Sequence, residues 1–186
     1  MKCELLDRDR SALVCIDFQE RLFPHVQQPQ RVLSRVDLLL SAAKLLGVPL
    51  LVTEQYPRGL GPTIEPIRRA FPDLRPVEKM DFSCAASAAF LERFAALHRD
   101  QIVLAGIETH ICVAQTALGL VSRGENVLVV ADATASRRNL DAQTALHRLD
   151  QAGIPLVTAE AVVFEWLRRA GTAEFKAIQA KVKGME

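Results

Sequence analysis

Apolar runs with no polar face recur along this chain, and each is followed by residues at helical spacing. Ala12-Leu13-Val14-Cys15-Ile16, Ile102-Val103-Leu104-Ala105 and Val127-Leu128-Val129-Val130-Ala131 show no alternation of apolar and polar positions. A strand with one wet face alternates, whereas one that is apolar throughout must be covered on both faces. Such strands, separated by amphipathic helices, build a parallel sheet with helices on either side. The chain therefore reads as α/β: a three-layer α/β/α, Rossmann-like arrangement around a central, mostly parallel six-stranded sheet.

The pattern predicts strands at residues 11–17, 48–53, 76–79, 101–106, 126–132 and 155–158. The first helix is expected at 30–46, with apolar residues at 32, 33, 36, 39, 40, 43 and 46 and Gly47 as its stop. Further helices are expected at 84–98, about 110–123, 139–152, 160–169 and 172–183. Residues 54–76 are rich in Pro and Gly and read as a long ordered loop with a short helix around 63–70; loops of that length are often functional. No repeat, low-complexity tract or linker interrupts the 186 residues, so one domain over 1–186 is expected.

Composition narrows the function. Apolar residues make up 49% and charged residues 24%, with a net charge of +1 and a pI of about 7.7. That balance carries no footprint for nucleic acid or an anionic membrane. The Arg pairs at 68–69, 137–138 and 168–169 are scattered along the chain. No run of about 18 apolar residues is present to span a bilayer. Cys3, Cys15, Cys84 and Cys112 form no Cys-x-x-Cys pair, so reduced thiols in the cytoplasm are expected. The histidines at 25, 98, 110 and 147 lack metal-ligand spacing. A small-molecule substrate is the remaining expectation.

In doubly wound sheets, sites form outside the carboxyl ends of the strands. Three reactive side chains fall there. Asp17 ends the first strand, Lys79 ends the short third one, and Cys112 follows the fourth. Gly106 breaks the fourth strand and Thr109 is a suitable N-cap, which places Cys112 in the first turn of the next helix. Unpaired N–H groups there favour a thiolate and can hold an oxyanion. A carboxylate can take the thiol proton, and an ammonium stabilises the thiolate and orients the carboxylate. Taken singly, each residue has an ordinary reading: a turn former, a solvated charge, a small buried residue. Their convergence on one rim favours chemistry.

Phe18, Gln19, Tyr56, Phe82 and Ile111 flank these residues or lie in the covering loop and are expected to line a substrate pocket. Core packing is the alternative for Phe18, Phe82 and Ile111, and helix capping for Gln19. Glu54 either contacts the pocket or caps its loop. Asp132 is expected to anchor the loop after the fifth strand, and Cys84 to start a helix without a catalytic duty. Trp166 and Phe164 suit either the core or a subunit interface.

The segments Ile16-Asp17-Phe18-Gln19, Lys79, and Gly106 through Thr116 together resemble the isochorismatase-like cysteine hydrolase family, over nearly the whole chain. Thr53-Glu54-Gln55-Tyr56-Pro57-Arg58-Gly59-Leu60-Gly61-Pro62-Thr63 and Val130-Ala131-Asp132-Ala133 look like its isochorismatase domain-containing branch. The resemblance implies a triad of Asp17, Lys79 and Cys112. It also implies an oxyanion hole from the backbone N–H groups of Glu108 and Cys112, and a cis peptide at Ile107–Glu108. The implied reaction is hydrolysis of a C–N bond in a small amide through an acyl-thioester, by an amidohydrolase-like homo-oligomer without a cofactor. Nicotinamidases of the family carry an Asp-x-His metal motif after the second strand; this chain has Glu54-Gln55-Tyr56, so no metal is expected. True isochorismatases lack the cysteine, so Cys112 argues for acyl chemistry. Two other classes fit the same residues. One is a thiol redox protein with Cys84 or Cys15 resolving, and the other a catalytically idle binding or assembly protein.

Overall fold

In the computed structural model, which describes residues 4–185, six strands form one sheet. They are β1 (Ser11–Ile16), β2 (Leu50–Gln55), β3 (Val77–Lys79), β4 (Gln101–Ile107), β5 (Asn126–Ala135) and β6 (Leu156–Val157). The spatial order is β3-β2-β1-β4-β5-β6, and every pairing is parallel. Cys3 lies outside the described residues.

Every residue of β1 and β4 is buried, as their unbroken apolar runs require. Alternate residues serve two cores. Leu13, Cys15, Val103, Ala105, Leu128 and Val130 pack against α1 (Pro29–Leu46), α7 (Ala159–Leu167) and α8 (Ala173–Lys183). Ala12, Val14, Ile16, Ile102, Leu104, Val127 and Val129 pack against α4 (Ala88–Ala95), α5 (Ala114–Val121) and α6 (Asn139–Gln151). Trp166 belongs to the first core, and its indole N–H donates to Ser11 Oγ at 2.9 Å. Phe164, by contrast, is partly exposed and meets Phe175 edge-to-face.

Several boundaries differ from expectation, each for a local reason. The long loop holds two short helices, α2 (Pro57–Leu60) and α3 (Glu65–Ala70). The expected helix at 84–98 is broken. Cys84–Ala86 forms a 3-10 turn, and extended Ser87 then caps α4 by accepting from Phe90 N. Strand β2 runs two residues further, through Gln55. Strand β5 continues past Asp132 because it is bulged: Leu104 faces Val129 but Gly106 faces Thr134, leaving three extra residues in β5. Asp132, inside that bulge, accepts from Ala159 N at 2.8 Å and so anchors the start of α7, not the loop that follows it in sequence.

The chain winds outward from β1 to β3 on one side and from β4 to β6 on the other. A crevice therefore opens at the carboxyl ends of β1 and β4, where strand order reverses. Gly106 governs how tightly that crevice is built. It faces Ile16, and a Cβ placed on it would lie 2.6 Å from Ile16 Cβ and 2.7 Å from the Ile16 carbonyl oxygen. Backbone cannot give way cheaply, so Gly106→Ala should lower stability by about 1–3 kcal/mol through overpacking. Urea unfolding measures this, and an unchanged midpoint would refute the close approach.

Candidate active site

Asp17 leaves β1 with a positive φ of 55°, a left-handed turn that lifts its carboxylate over the end of the sheet. Its N–H donates to the Thr53 carbonyl at 3.2 Å, and Thr53 Oγ1 donates back to Asp17 Oδ1 at 2.6 Å. Lys79, the last residue of β3, donates from Nζ to Asp17 Oδ2 at 2.7 Å. The same ammonium donates to Gln55 Oε1 at 2.8 Å and to the Phe82 carbonyl at 3.3 Å. Both side chains of the ion pair are fully inaccessible to solvent. Burying two charges is favourable only when geometry is close and the remaining donors and acceptors are bonded. Thr53, Gln55 and Phe82 meet that need.

Cys112 lies in a π-helical turn, Thr109–Val113, that precedes α5. The peptide bond entering this turn, Ile107–Glu108, is cis. Cys112 is 5% exposed, and its thiol lies close enough to Asp17 and Lys79 to feel both charges. Burial pushes its pKa upward; the Asp17 carboxylate pushes in the same direction and Lys79 opposes it. The resting side chain is thus a thiol, and the expected thiolate bias of a helix start is overridden by desolvation. Thr109 is no cap: Glu108 stands at the N-cap position, and Thr109 Oγ1 is buried without a partner.

The cluster includes Gln55, to which sequence reasoning gave no role, and Cys84, which it placed at a helix start. Gln55 ties Lys79 to the next loop, its Nε2 donating to the Met80 carbonyl at 2.7 Å. Cys84, expected to be a bystander, is buried beside the ion pair. Its N–H donates to Thr116 Oγ1 at 2.9 Å, one helical turn beyond Cys112. Burial pushes its thiol up to about 11, against the nearby Lys79 ammonium.

The expected pocket residues divide. Phe82 (53% exposed) and Tyr56 (48%), with Met80 (69%), stand on the loops fastened to Lys79. Ile111 is half-buried against the α4–α6 core. Phe18 is fully buried and meets Phe23 edge-to-face at 5.8 Å. Gln19 is also fully buried. Its Nε2 donates to the Gln55 and Gly61 carbonyls, and its Oε1 accepts from Gln55 N. Gln19 is thus a strut between β2 and its loop. Glu54 caps the loop by accepting from both N and Oγ1 of Thr63 at 2.7 and 2.6 Å. His110 faces Ser136, with Nδ1 and Oγ 2.9 Å apart. Glu108 accepts from both N and Nε of Arg137. Among the described residues, no group of three or more His, Cys, Asp or Glu side chains is arranged to hold a metal.

A parallel α/β sheet with a buried carboxylate, ammonium and thiol at its switch point defines the class. The Isochorismatase domain profile matches residues 11–161, and the chain belongs to this family, whose hydrolase fold it carries. Isochorismatase domain-containing protein 2 of Bos taurus is 40% identical over 173 residues, covering 93% of this chain and 83% of the relative. Isochorismatase domain-containing protein 1 of Danio rerio is 38% identical over 93% of this chain, which spans only 61% of that longer protein. Among solved structures, one described as the MAR1 ribonuclease of Caenorhabditis elegans aligns with TM-score 0.88 and 31% identity, over 97% of this chain and 93% of its own. The YcaC product of Escherichia coli, described as an octameric hydrolase of unknown specificity, aligns with TM-score 0.88 and 25% identity, over 100% and 90%.

Two measurements follow. Asp17→Asn leaves the Lys79 ammonium buried without its counter-charge and should cost about 3–5 kcal/mol in urea unfolding; a loss below about 1 kcal/mol would contradict the burial of the pair. Alkaline stability tests the thiols. Burial raises Cys15 to about 12 and Cys84 to about 11 from an ordinary 9.0. The folded state then keeps protons that the unfolded chain releases. Their contribution is intact below about pH 9 and is lost as pH rises through the folded values. Urea midpoints should fall across that window, and fall less in Cys15→Val; parallel profiles for the two proteins would count against the shift.

Proposed function

We propose that this protein is a metal-independent thiol hydrolase that cleaves the C–N bond of a small amide, with Cys112 as nucleophile, Asp17 as base and Lys79 as the cation that holds Asp17. The observation that carries the reading is the solvent-free Asp17–Lys79 pair at 2.7 Å set against the Cys112 thiol. A thiol with a raised pKa is a poor nucleophile until a base removes its proton, and Asp17 is the acceptor within reach.

Catalysis on this reading has two halves. As Cys112 Sγ bonds to the amide carbonyl carbon, its proton passes to Asp17. The carbonyl oxygen gains the negative charge and is met by the backbone N–H groups of Glu108 and Cys112. The amine leaves with the proton from Asp17, and a thioester remains. Water then attacks the thioester, Asp17 accepts its proton, and the acid departs as the thiol is restored. Lys79, bonded to Asp17 Oδ2 at 2.7 Å, holds the carboxyl group in place through both halves. Tyr56, Phe82 and Ile111 are the residues placed to contact the rest of the substrate. Phe18 would act only through packing, and Gln19 only through its hydrogen bonds to Gln55 and Gly61.

The geometry gives a redox role less support, because burial raises the pKa of both Cys112 and Cys84 and sensor thiols need the opposite. The worm relative is described as a ribonuclease, but RNA chemistry needs cations that track a phosphate backbone. Here Arg68 and Arg137 are engaged by Glu20 and Glu108. We also read the chain as a homo-oligomer of the reducing cytoplasm, on the octameric description of the Escherichia coli relative and the free thiols at 15, 84 and 112.

Intact-protein mass spectrometry with a panel of small amides tests the reaction. The wild type should gain the mass of an acyl group and lose it as acid appears. Cys112→Ala should show neither while unfolding at the same urea concentration. Turnover that survives Cys112→Ala, of an amide or of RNA, would remove Cys112 from the chemistry.

A further inference from the structure

Gln55 makes hydrogen bonds with every polar group it has. Its Oε1 accepts from Lys79 Nζ at 2.8 Å, and its Nε2 donates to the Met80 carbonyl at 2.7 Å. Its backbone is clamped as well: N donates to Gln19 Oε1 at 2.8 Å, and the carbonyl accepts from Gln19 Nε2 at 3.0 Å. The side chain therefore has to accept at one end, donate at the other, and carry no charge. A carboxamide meets all three conditions without depending on its protonation state. A carboxylate in its place would lose the donor for Met80 and set a second anion beside the ammonium that Asp17 needs. A methionine would fill the space with neither bond.

We propose that Gln55 is a positioning residue that tunes the Asp17–Lys79 pair. It anchors the ammonium through a neutral acceptor, so that the positive charge acts on Asp17 and the Cys112 thiol and is not divided with another anion. The inference rests on the reading of Cys112 as the nucleophile and Asp17 as its base, and it extends that reading to a residue with no contact to the reacting atoms. Gln19 supports Gln55 from the backbone side, so the two glutamines form a single brace running from the turn after β1 to Lys79.

Charge and geometry make separable predictions. In Gln55→Glu, the ammonium is shared between two carboxylates. Less positive charge then faces Cys112, and the thiolate becomes harder to form. In Gln55→Met no charge is added, but the ammonium loses an anchor; reactivity should fall by less than in Gln55→Glu.

Alkylation of Cys112 by iodoacetamide reads this without any knowledge of the substrate. The rate is followed against pH in the full-length protein, with the site resolved by peptide mass spectrometry. Between about pH 7 and 9, on the rising limb, Gln55→Glu should be alkylated about tenfold more slowly than wild type at each pH, the loss that a one-unit rise in the thiol's affinity for its proton produces. Gln55→Met should also be slower than wild type, by less than Gln55→Glu. A Gln55→Glu profile superimposable on wild type would overturn the proposal, as would a wild-type rate in Gln55→Met if the charged variant fails to fold. Lys79→Met separates the two levels of the argument. If its profile changes while those of the Gln55 variants do not, the role of Gln55 falls alone. If Lys79→Met also matches wild type, the underlying reading of the ion pair falls with it.

Discussion

Everything at the rim of the sheet is arranged around one buried ion pair, Asp17 with Lys79. Its two partners come from β1 and from the edge strand β3, with β2 between them. Charges removed from water this completely are tolerated only when the surrounding dipoles are fixed. Fixing them requires three parallel strands to end at matching heights. The register does this: Thr53 faces Ile16, one residue before Asp17, and Gln55 faces Lys79. Thr53 and Gln55 then lie between the two charges and bond one each. The short β3 is thus sufficient for its task, since its last residue is the one that carries the cation.

The other side of the crevice is governed by desolvation. Cys112 and Cys84 both sit against the Asp17–Lys79 pair, and both have raised pKa values because burial outweighs the nearby ammonium. A low-pKa thiolate exposed to solvent would be reactive towards many electrophiles and oxidants. A protonated thiol under a carboxylate is quiet until a bound carbonyl makes proton transfer worthwhile. On the proposed reading, the arrangement trades general reactivity for dependence on a correctly seated substrate, which is the expected direction when interactions strengthen in the transition state.

The architecture was legible in the sequence because it rests on period and length. Double-buried runs fixed the strands, and the spacing from Val32 to Leu46 fixed α1. What was illegible depends on bonds between residues distant in sequence. The break at Ser87 reflects a side-chain cap on Phe90, and the extension of β5 reflects a bulge that seats Asp132 on α7. Three strand ends identified Asp17, Lys79 and Cys112 as a converging set. Their nearest neighbours in sequence were a poorer guide. Phe18 and Gln19 follow Asp17 directly, yet the left-handed turn at Asp17 sends them away from the crevice, into the core on the α1 side and under the 54–63 loop. Gln55 was missed because the second strand was ended two residues early, which placed in a loop a residue that belongs to the strand-end row.

The same bonds decide how the loops at the rim relate to the charged pair. Met80 and Phe82 carry exposed side chains, but their carbonyls are held by Gln55 and Lys79. Tyr56 carries an exposed ring, but its N–H donates to the Lys79 carbonyl at 3.0 Å. The Met80 and Phe82 side chains are thus attached, through a single peptide group, to the amide and to the ammonium, and Tyr56 to the backbone of Lys79. On the proposed reading, a ligand pressing on Phe82 acts on the ammonium through the Phe82 carbonyl, and one pressing on Tyr56 acts on it through the Lys79 backbone. Recognition at the mouth and proton transfer at the thiol are then joined by hydrogen bonds that lie beneath the surface the ligand touches.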